Sequence, residues 1–222
     1  YNISVLWDGL SWRHQVGSDY KANRNVTEKL YQIKQAAAAN TYRKQLPYIK
    51  KALGYLGVSQ IAASNMEADD LAAIFADKFA ARGDTVKLMS GDKDWLQLVG
   101  PNVIWHDFIN NRTVDQKGFE KFTGVATPRQ FIEVKALAGD AGDNISGVGG
   151  IGEKGAVEFL KKYGSFTDFL NMVCLEKSID FKKLPKKLKA LVEDEAKALT
   201  FQQNILMMDL RTTARPAPIG LT

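Results

Sequence analysis

Four stretches of this sequence carry acidic side chains at spacings that suit metal chemistry. They are Asp8 in "LWDGL", Glu67, Asp69 and Asp70 in "NMEADDLA", Asp92 and Asp94 in "SGDKDW", and Asp140 and Asp143 in "AGDAGDN". Any one of them has an ordinary explanation, since acidic residues favour a helix's first turn and Asp-Gly is a turn sequence. Gathered together they would repel one another unless cations neutralised them. His14 and His106 stand alone and Cys174 is the single cysteine. An all-oxygen donor set therefore selects Mg²⁺ or Mn²⁺ over zinc. Two such ions would suit activation of water and stabilisation of the leaving oxygen of a phosphodiester.

A second chemical feature follows directly. "GVGGIGEKGA" supplies Gly147, Gly149, Gly150 and Gly152 between two helical patterns, with Lys154 just beyond. Glycines allow a tight turn that exposes backbone N–H groups, and a helix N-terminus adds partial positive charge, so the loop favours anions. It lacks the "GK[ST]" ending of a Walker loop, and no strand precedes it as a dinucleotide fold requires. A helical hairpin gripping a phosphate backbone fits better than either, with a plain glycine-rich connector as the competing explanation. "SDYKANR" places Tyr20, Lys21 and Arg24 after the Asp8 turn. If Asp8 holds a metal, the two cations would orient a scissile phosphate and Tyr20 could stack on a base.

The elements that must position these groups are legible from pattern. Apolar and β-branched residues from Ile3 to Leu6 predict a buried strand ending at Asp8. Val26 to about Leu56 reads as helical, with Pro47 expected to kink or restart it. "SQIAA" is a short strand; residues 71, 74, 75 and 79 make one apolar helix face, with Ser64 or Asn65 as its cap. "TVKLMS" and "NVIWHDF" are further strands. Strand–helix alternation implies an α/β fold with a mainly parallel sheet whose strand C-termini collect Asp8, "MEADD" and "SGDKD". Glu67 with Asp70, and Asp140 with Asp143, would share a helix face, while Asp92 and Asp94 would point one way from extended backbone. Past about Pro128 the pattern is helical only, which sets the boundary near 125: an N-terminal catalytic domain over 1–125 and a helical region over 126–222, with the hairpin at 137–160. The lysines at 182, 183, 186, 187 and 189 read as a solvated face near duplex backbone. "ARPAPIGLT" reads as extended.

Composition sets the outer bounds. The 222 residues are 45% hydrophobic, enough for a real core, and one cysteine excludes an internal disulfide and fits a reducing compartment. No apolar run is long enough to span a membrane. Net charge is +5 with pI ≈ 9.1, a mild bias toward nucleic acid.

In order and spacing, "WDG…WRH…DYKANR", "MEADDLAA", "SGDKDWLQLV" and "GDAGDNISGVGGIGEKGA" resemble the flap endonuclease family. The likeness is to bacterial and bacteriophage 5′ nucleases and the 5′-nuclease domain of DNA polymerase I, over roughly residues 3 to 165. The resemblance implies a PIN-like (Rossmann-like) domain with a helical arch, followed by a helix-hairpin-helix (helix-3-turn-helix) DNA-binding region. It implies that all eight carboxylates bind two divalent ions, that Lys21 and Arg24 are the active-site basic pair, and that the hairpin holds duplex backbone. In relatives, a K⁺ sits on loop carbonyls, here those of Val148 and Ile151. The implied reaction is 5′→3′ exonuclease and flap cleavage in DNA replication and repair. Its setting would be the cytoplasm of a bacterium or phage-infected host, on flap or 5′-ended duplex DNA, by a monomer working beside a DNA polymerase. Relatives carry an earlier strand with a further metal-binding aspartate, so the chain is expected to be cut at its start. The alternative expectation is accordingly a structure-selective DNA-binding protein with weak or no cleavage. A ribonuclease of the related PIN-like fold is disfavoured by the glycine hairpin.

Overall fold

The computed structural model describes residues 2–22 and 29–222, with backbone alone for 29–39. Arg24 lies outside the described residues. The chain forms two compact units: one comprises residues 1–72, 142–144 and 215–222, the other 73–141 and 145–214.

In the first unit, β1 (Ser4–Trp7) is followed by the helix α1 (Lys29–Tyr55) and by β2 (Ser59–Ala62), which pairs with β1 in parallel register from Ser4↔Ser59 to Trp7↔Ala62. Pro47 was expected to kink or restart the helix; it does not restart it, and α1 runs through Pro47 as one helix. The helix α2 (Ala68–Ala81) begins in this unit, and its first turn carries Asp69 and Asp70. The expected cap differs too: Asp8 Oδ1 accepts the Ala68 N–H at 2.8 Å. Ser64 and Asn65 instead hold the C-terminal segment, where Ser64 N donates to Ile219 O and Asn65 Nδ2 to Ala217 O. Ala62 and Thr222 exchange backbone hydrogen bonds at 3.1 Å, so the proline-bearing tail is extended and pinned against the end of β2.

In the second unit, β3 (Val86–Met89) pairs in parallel with β4 (Val103–Asp107), and β5 (Arg112–Val114) adds an antiparallel edge. The parallel character expected from strand–helix alternation holds for β1/β2 and for β3/β4. The antiparallel edge comes from a tight return in which Asn111 takes φ 49°. Helices α3 (Phe119–Thr123) and α4 (Pro128–Ala138) follow. The latter starts on a Thr127 Oγ1 cap with proline at its first position, and stops at Gly139, φ 82°. A two-residue ladder, β6 (Gly139–Asp140) with β7 (Ile145–Ser146), closes the "GDAGDN" turn. It needs glycine at 147, because a Cβ there would meet Ala138 O at 2.4 Å. Four helices complete the unit: α5 (Glu153–Tyr163), α6 (Phe166–Leu170), α7 (Lys186–Glu193) and α8 (Glu195–Met208). Leu137, Ala156, Leu160, Phe169 and Phe201 share one buried cluster with Trp105 and Phe119. Phe166 and Phe201 stack at 4.2 Å between centroids. Burial of these rings fixes α4, α5 and α8 around the glycine loop.

Candidate functional site

The first unit builds its polar centre on Glu67, which is 7% exposed. Its Oε2 accepts from Ser11 Oγ (2.7 Å), Arg13 Nη1 (3.1 Å) and Tyr20 OH (3.2 Å), while Oε1 takes the Lys21 ammonium. Burial pushes the Glu67 carboxyl up, but the hydrogen bonds from Lys21 and Ser11 and the charges of Lys21 and Arg13 outweigh it. The group is held below the ordinary glutamate range. Asp143, reached from 76 residues further along the chain, joins this centre. Its Oδ2 lies 3.2 Å from Tyr20 OH and 3.9 Å from Lys21 Nζ, and its carbonyl accepts the Lys21 N–H at 2.9 Å. Lys21 thus spans Glu67 and Asp143, from a backbone with φ 57°. Holding a non-glycine residue there costs roughly 1–3 kcal/mol, and such strain gathers where an arrangement of charged groups must be kept.

Two site residues behave differently from expectation. Tyr20 is only 5% exposed, so it is not a stacking surface for a base. Its one proton serves Glu67 or Asp143 in turn. Burial and those two carboxylates push its phenol far up, so it remains a donor. Asp70 is fully buried, and both of its oxygens accept the fork of Arg13, at 3.0 and 2.9 Å. A carboxylate so engaged anchors a guanidinium, a role the sequence did not suggest for Asp70 beside the expected one of metal ligand. Asp8 is exposed beside the start of α2, and Asp69 is half-buried in its first turn. Sequence reasoning missed Arg13, an arginine 2% exposed whose partners lie 54 and 57 residues away. Its one local signal was the "WRH" within the family-like motif.

The second unit holds the other carboxylates. Asp94 and Asp140 are joined by Lys135 from α4, whose Nζ donates to Asp94 Oδ1 and, at 2.9 Å, to Asp140 Oδ2. Burial pulls the Lys135 ammonium down, yet the two carboxylates more than compensate and hold it raised and charged. Asp92, itself on extended backbone (φ −74°, ψ 120°), caps a short 3-10 turn by accepting the Asp94 N–H at 2.8 Å, and Asp94 lies inside that turn, so only one of the two aspartates is on extended backbone as expected. Nor do Asp140 and Asp143 share a helix face: Asp140 is in β6 and Asp143 in the turn after it. Lys135 is a further omission, because mid-helix lysine carries no signal of its own.

Among the described residues no three acidic or histidine side chains already converge as a metal cage. What converges is pairs, each with a lysine ammonium between them: Glu67 and Asp143 around Lys21, and Asp94 and Asp140 around Lys135. Each ammonium marks a place where carboxylate oxygens already meet a cation. The donor chemistry, oxygen throughout, fits a hard divalent ion.

In the hairpin, Gly149 and Gly150 take φ 87° and 77°. Gly152 precedes α5, and Lys154 is exposed in its first turn. With Pro185 and Lys187, Gly150, Gly152 and Lys154 border an open cleft of about 480 Å³. Val148 and Ile151 are buried. The Val148 carbonyl, expected to hold a potassium ion, accepts the Lys197 ammonium at 3.0 Å.

Residues 1–124 match the family model "5′-3′ exonuclease, N-terminal resolvase-like domain", and residues 126–216 match "5′-3′ exonuclease, C-terminal SAM fold". A 5′-3′ exonuclease of Aquifex aeolicus is 35% identical over 158 residues, covering 71% of this chain and 50% of that protein. Flap endonuclease Xni of Shewanella sediminis is 37% identical over 169 residues, covering 75% of this chain and 61% of its own length. The chain therefore spans about half to three-fifths of the length of these curated relatives. Among solved structures, the bacteriophage T5 flap endonuclease in a complex with DNA and metal ions superposes with TM-score 0.75 at 27% identity, over 94% of this chain and 74% of that one. A T5 5′-exonuclease with bound divalent zinc gives the same score, identity and coverage. Two domain models in tandem, a PIN-type resolvase-like unit and a SAM-like helical one, place this chain in the bacterial and bacteriophage 5′-3′ exonuclease family.

Proposed function

We propose that this chain is the nuclease portion of a structure-specific 5′ nuclease that hydrolyses DNA phosphodiesters with divalent-metal assistance. The observation that carries this reading is the Lys21 centre, where an ammonium is held against Glu67 and Asp143 beside a buried, proton-bearing Tyr20. Such an arrangement keeps a cation next to carboxylates until a phosphate can draw it away. Asp8, Glu67, Asp69 and Asp143 in one unit, and Asp92, Asp94 and Asp140 in the other, would hold Mg²⁺ or Mn²⁺. When bound, such ions supply Lewis-acid stabilisation of a phosphoryl oxygen and a water of lowered pKa. The chain's own residues do the rest. Arg13 fixes Glu67 and Asp70, Tyr20 donates to Glu67 or Asp143, and Lys21 and Arg24 neutralise charge on the scissile phosphate. Gly147, Gly149, Gly150, Gly152 and Lys154 hold duplex backbone through N–H groups and one exposed ammonium, without reading bases.

The relatives' names support a 5′-flap or 5′-ended duplex as substrate, and the polymerase-domain likeness supports work alongside a DNA polymerase. The test is a Lys21→Ala variant assayed for flap cleavage and for gel-shift binding of the same DNA. Cleavage should fall by about 100-fold or more, as removal of one charge-stabilising donor does, while duplex binding persists. Cleavage at the parental rate would remove Lys21 from the chemistry.

A further inference from the structure

The lysine-rich helix α7 and the following helix α8 reach carbonyls of the glycine loop, and the proposed function makes no use of them. Lys197 Nζ donates to Val148 O at 3.0 Å and Lys187 Nζ to Gly150 O at 2.7 Å. Asn204, also on α8 and 5% exposed, donates to Ala136 O and Ser146 O, each at 2.8 Å. Carbonyls of alternate residues 146, 148 and 150 therefore face groups supplied by the C-terminal helices. The loop's glycines make room for this. A Cβ on Gly149 would lie 2.6 Å from Lys197 Nζ, and one on Gly150 would lie 3.5 Å from Lys187 Cε.

Backbone carbonyls gathered in one short loop concentrate partial negative charge that favours a nearby cation. In this chain the cation is covalent. An ammonium presents three donors to lone pairs that a potassium ion would use, and a second unit charge beside it is repelled. The potassium site that the family likeness implies therefore does not fit the residues present. The geometry points to Lys197 and Lys187 as tethered counter-cations of the hairpin, which preorganise the loop so that its grip on duplex backbone needs no monovalent ion. This rests on the reading that the hairpin holds DNA. It also gives the lysine-rich region a structural task, where sequence pattern gave only a solvated face.

The test compares chloride salts of K⁺ and tetramethylammonium at equal ionic strength, the latter being too large for loop carbonyls to enclose. Fluorescence anisotropy reports binding of a labelled flap duplex in EDTA, and thermal unfolding of the protein alone is read in the same two salts. The parent should bind within about twofold, and unfold at the same temperature, in both. The Lys187→Met/Lys197→Met variant should bind at least about tenfold more weakly in tetramethylammonium and recover several-fold in K⁺ alone. If the double variant does not fold, Lys187→Met, which removes an exposed side chain, should show the same selective recovery. Parental binding that is fivefold or more tighter in K⁺, a K⁺-specific rise in parental unfolding temperature, or no K⁺ recovery in either variant would overturn the proposal. Absence of duplex binding in both salts would sink the hairpin reading itself, and the unfolding comparison would still decide whether the lysines replace the ion.

Discussion

Asp70→Ala separates an anchoring carboxylate from a metal ligand. The substitution removes both acceptors of the Arg13 fork, at 3.0 and 2.9 Å, from a place where aspartate and arginine are 0% and 2% exposed. Truncating one partner of a buried ion pair costs about 3–5 kcal/mol, because the other charge stays desolvated. Arg13 keeps its 3.1 Å bond to Glu67, which places the loss at the lower end, about 3 kcal/mol. That is a large part of the roughly 5–15 kcal/mol that holds a domain folded. Asp69→Ala, one residue away and half-buried at a helix start, should cost about 1 kcal/mol or less through the helix dipole. The assay is urea unfolding of Asp70→Ala, Arg13→Met, the double variant and Asp69→Ala. The double variant should be more stable than the summed single losses predict, by about 2 kcal/mol or more. An Asp70→Ala loss under about 1 kcal/mol, or strict additivity with Arg13→Met, would refute the reasoning and return Asp70 to the metal ligands.

Other predictions test separate parts of the site. Gly149→Ala must hold φ 87° and displace the Lys197 ammonium, so it should lose about 1–2 kcal/mol in urea unfolding and weaken duplex binding alike for all sequences. Glu67 has a depressed carboxyl pKa. Its stabilising contribution is therefore present above the ordinary glutamate value of about 4.3 and is lost as pH falls through the lower folded value. The stability gap between the parent and Glu67→Gln should be widest near neutral pH and shrink below about pH 4. A gap constant with pH would contradict the shift. Lys135→Met leaves Asp94 and Asp140 together without their ammonium. Unfolding temperature should fall in EDTA and rise more with Mg²⁺ than the parent's does, and equal Mg²⁺ responses would argue against those two aspartates as ligands.

Local pattern located most of the elements, because β1, α2 and β3 each carry their own signal: apolar runs in the strands and a one-sided stripe at 71, 74, 75 and 79 in the helix. The acidic groups were visible as residue types at workable spacings. Their local geometry was not, since Asp140 and Asp143 sit on a two-residue ladder and its turn that no periodicity announces. Whether a polar side chain faces water or a distant partner is decided by tertiary packing. Tyr20 in a basic stretch reads as a base stacker, and only Glu67 and Asp143, far along the chain, make it an internal donor. Arg13 and the carbonyl-bound lysines of α7 and α8 were hidden for the same reason, their acceptors being 37 to 57 residues away. Pro47 shows the converse, a strong local breaker overridden within a long helix.

The most direct test of the central claim is cleavage of a 5′-end-labelled flap duplex by this 222-residue chain in Mg²⁺ and in EDTA, with gel-shift binding of the same DNA in parallel. The account predicts product released from the 5′ end in Mg²⁺, none in EDTA, and binding in both. Binding with no product in Mg²⁺ or Mn²⁺ would contradict it and leave a protein that holds branched DNA without cutting it.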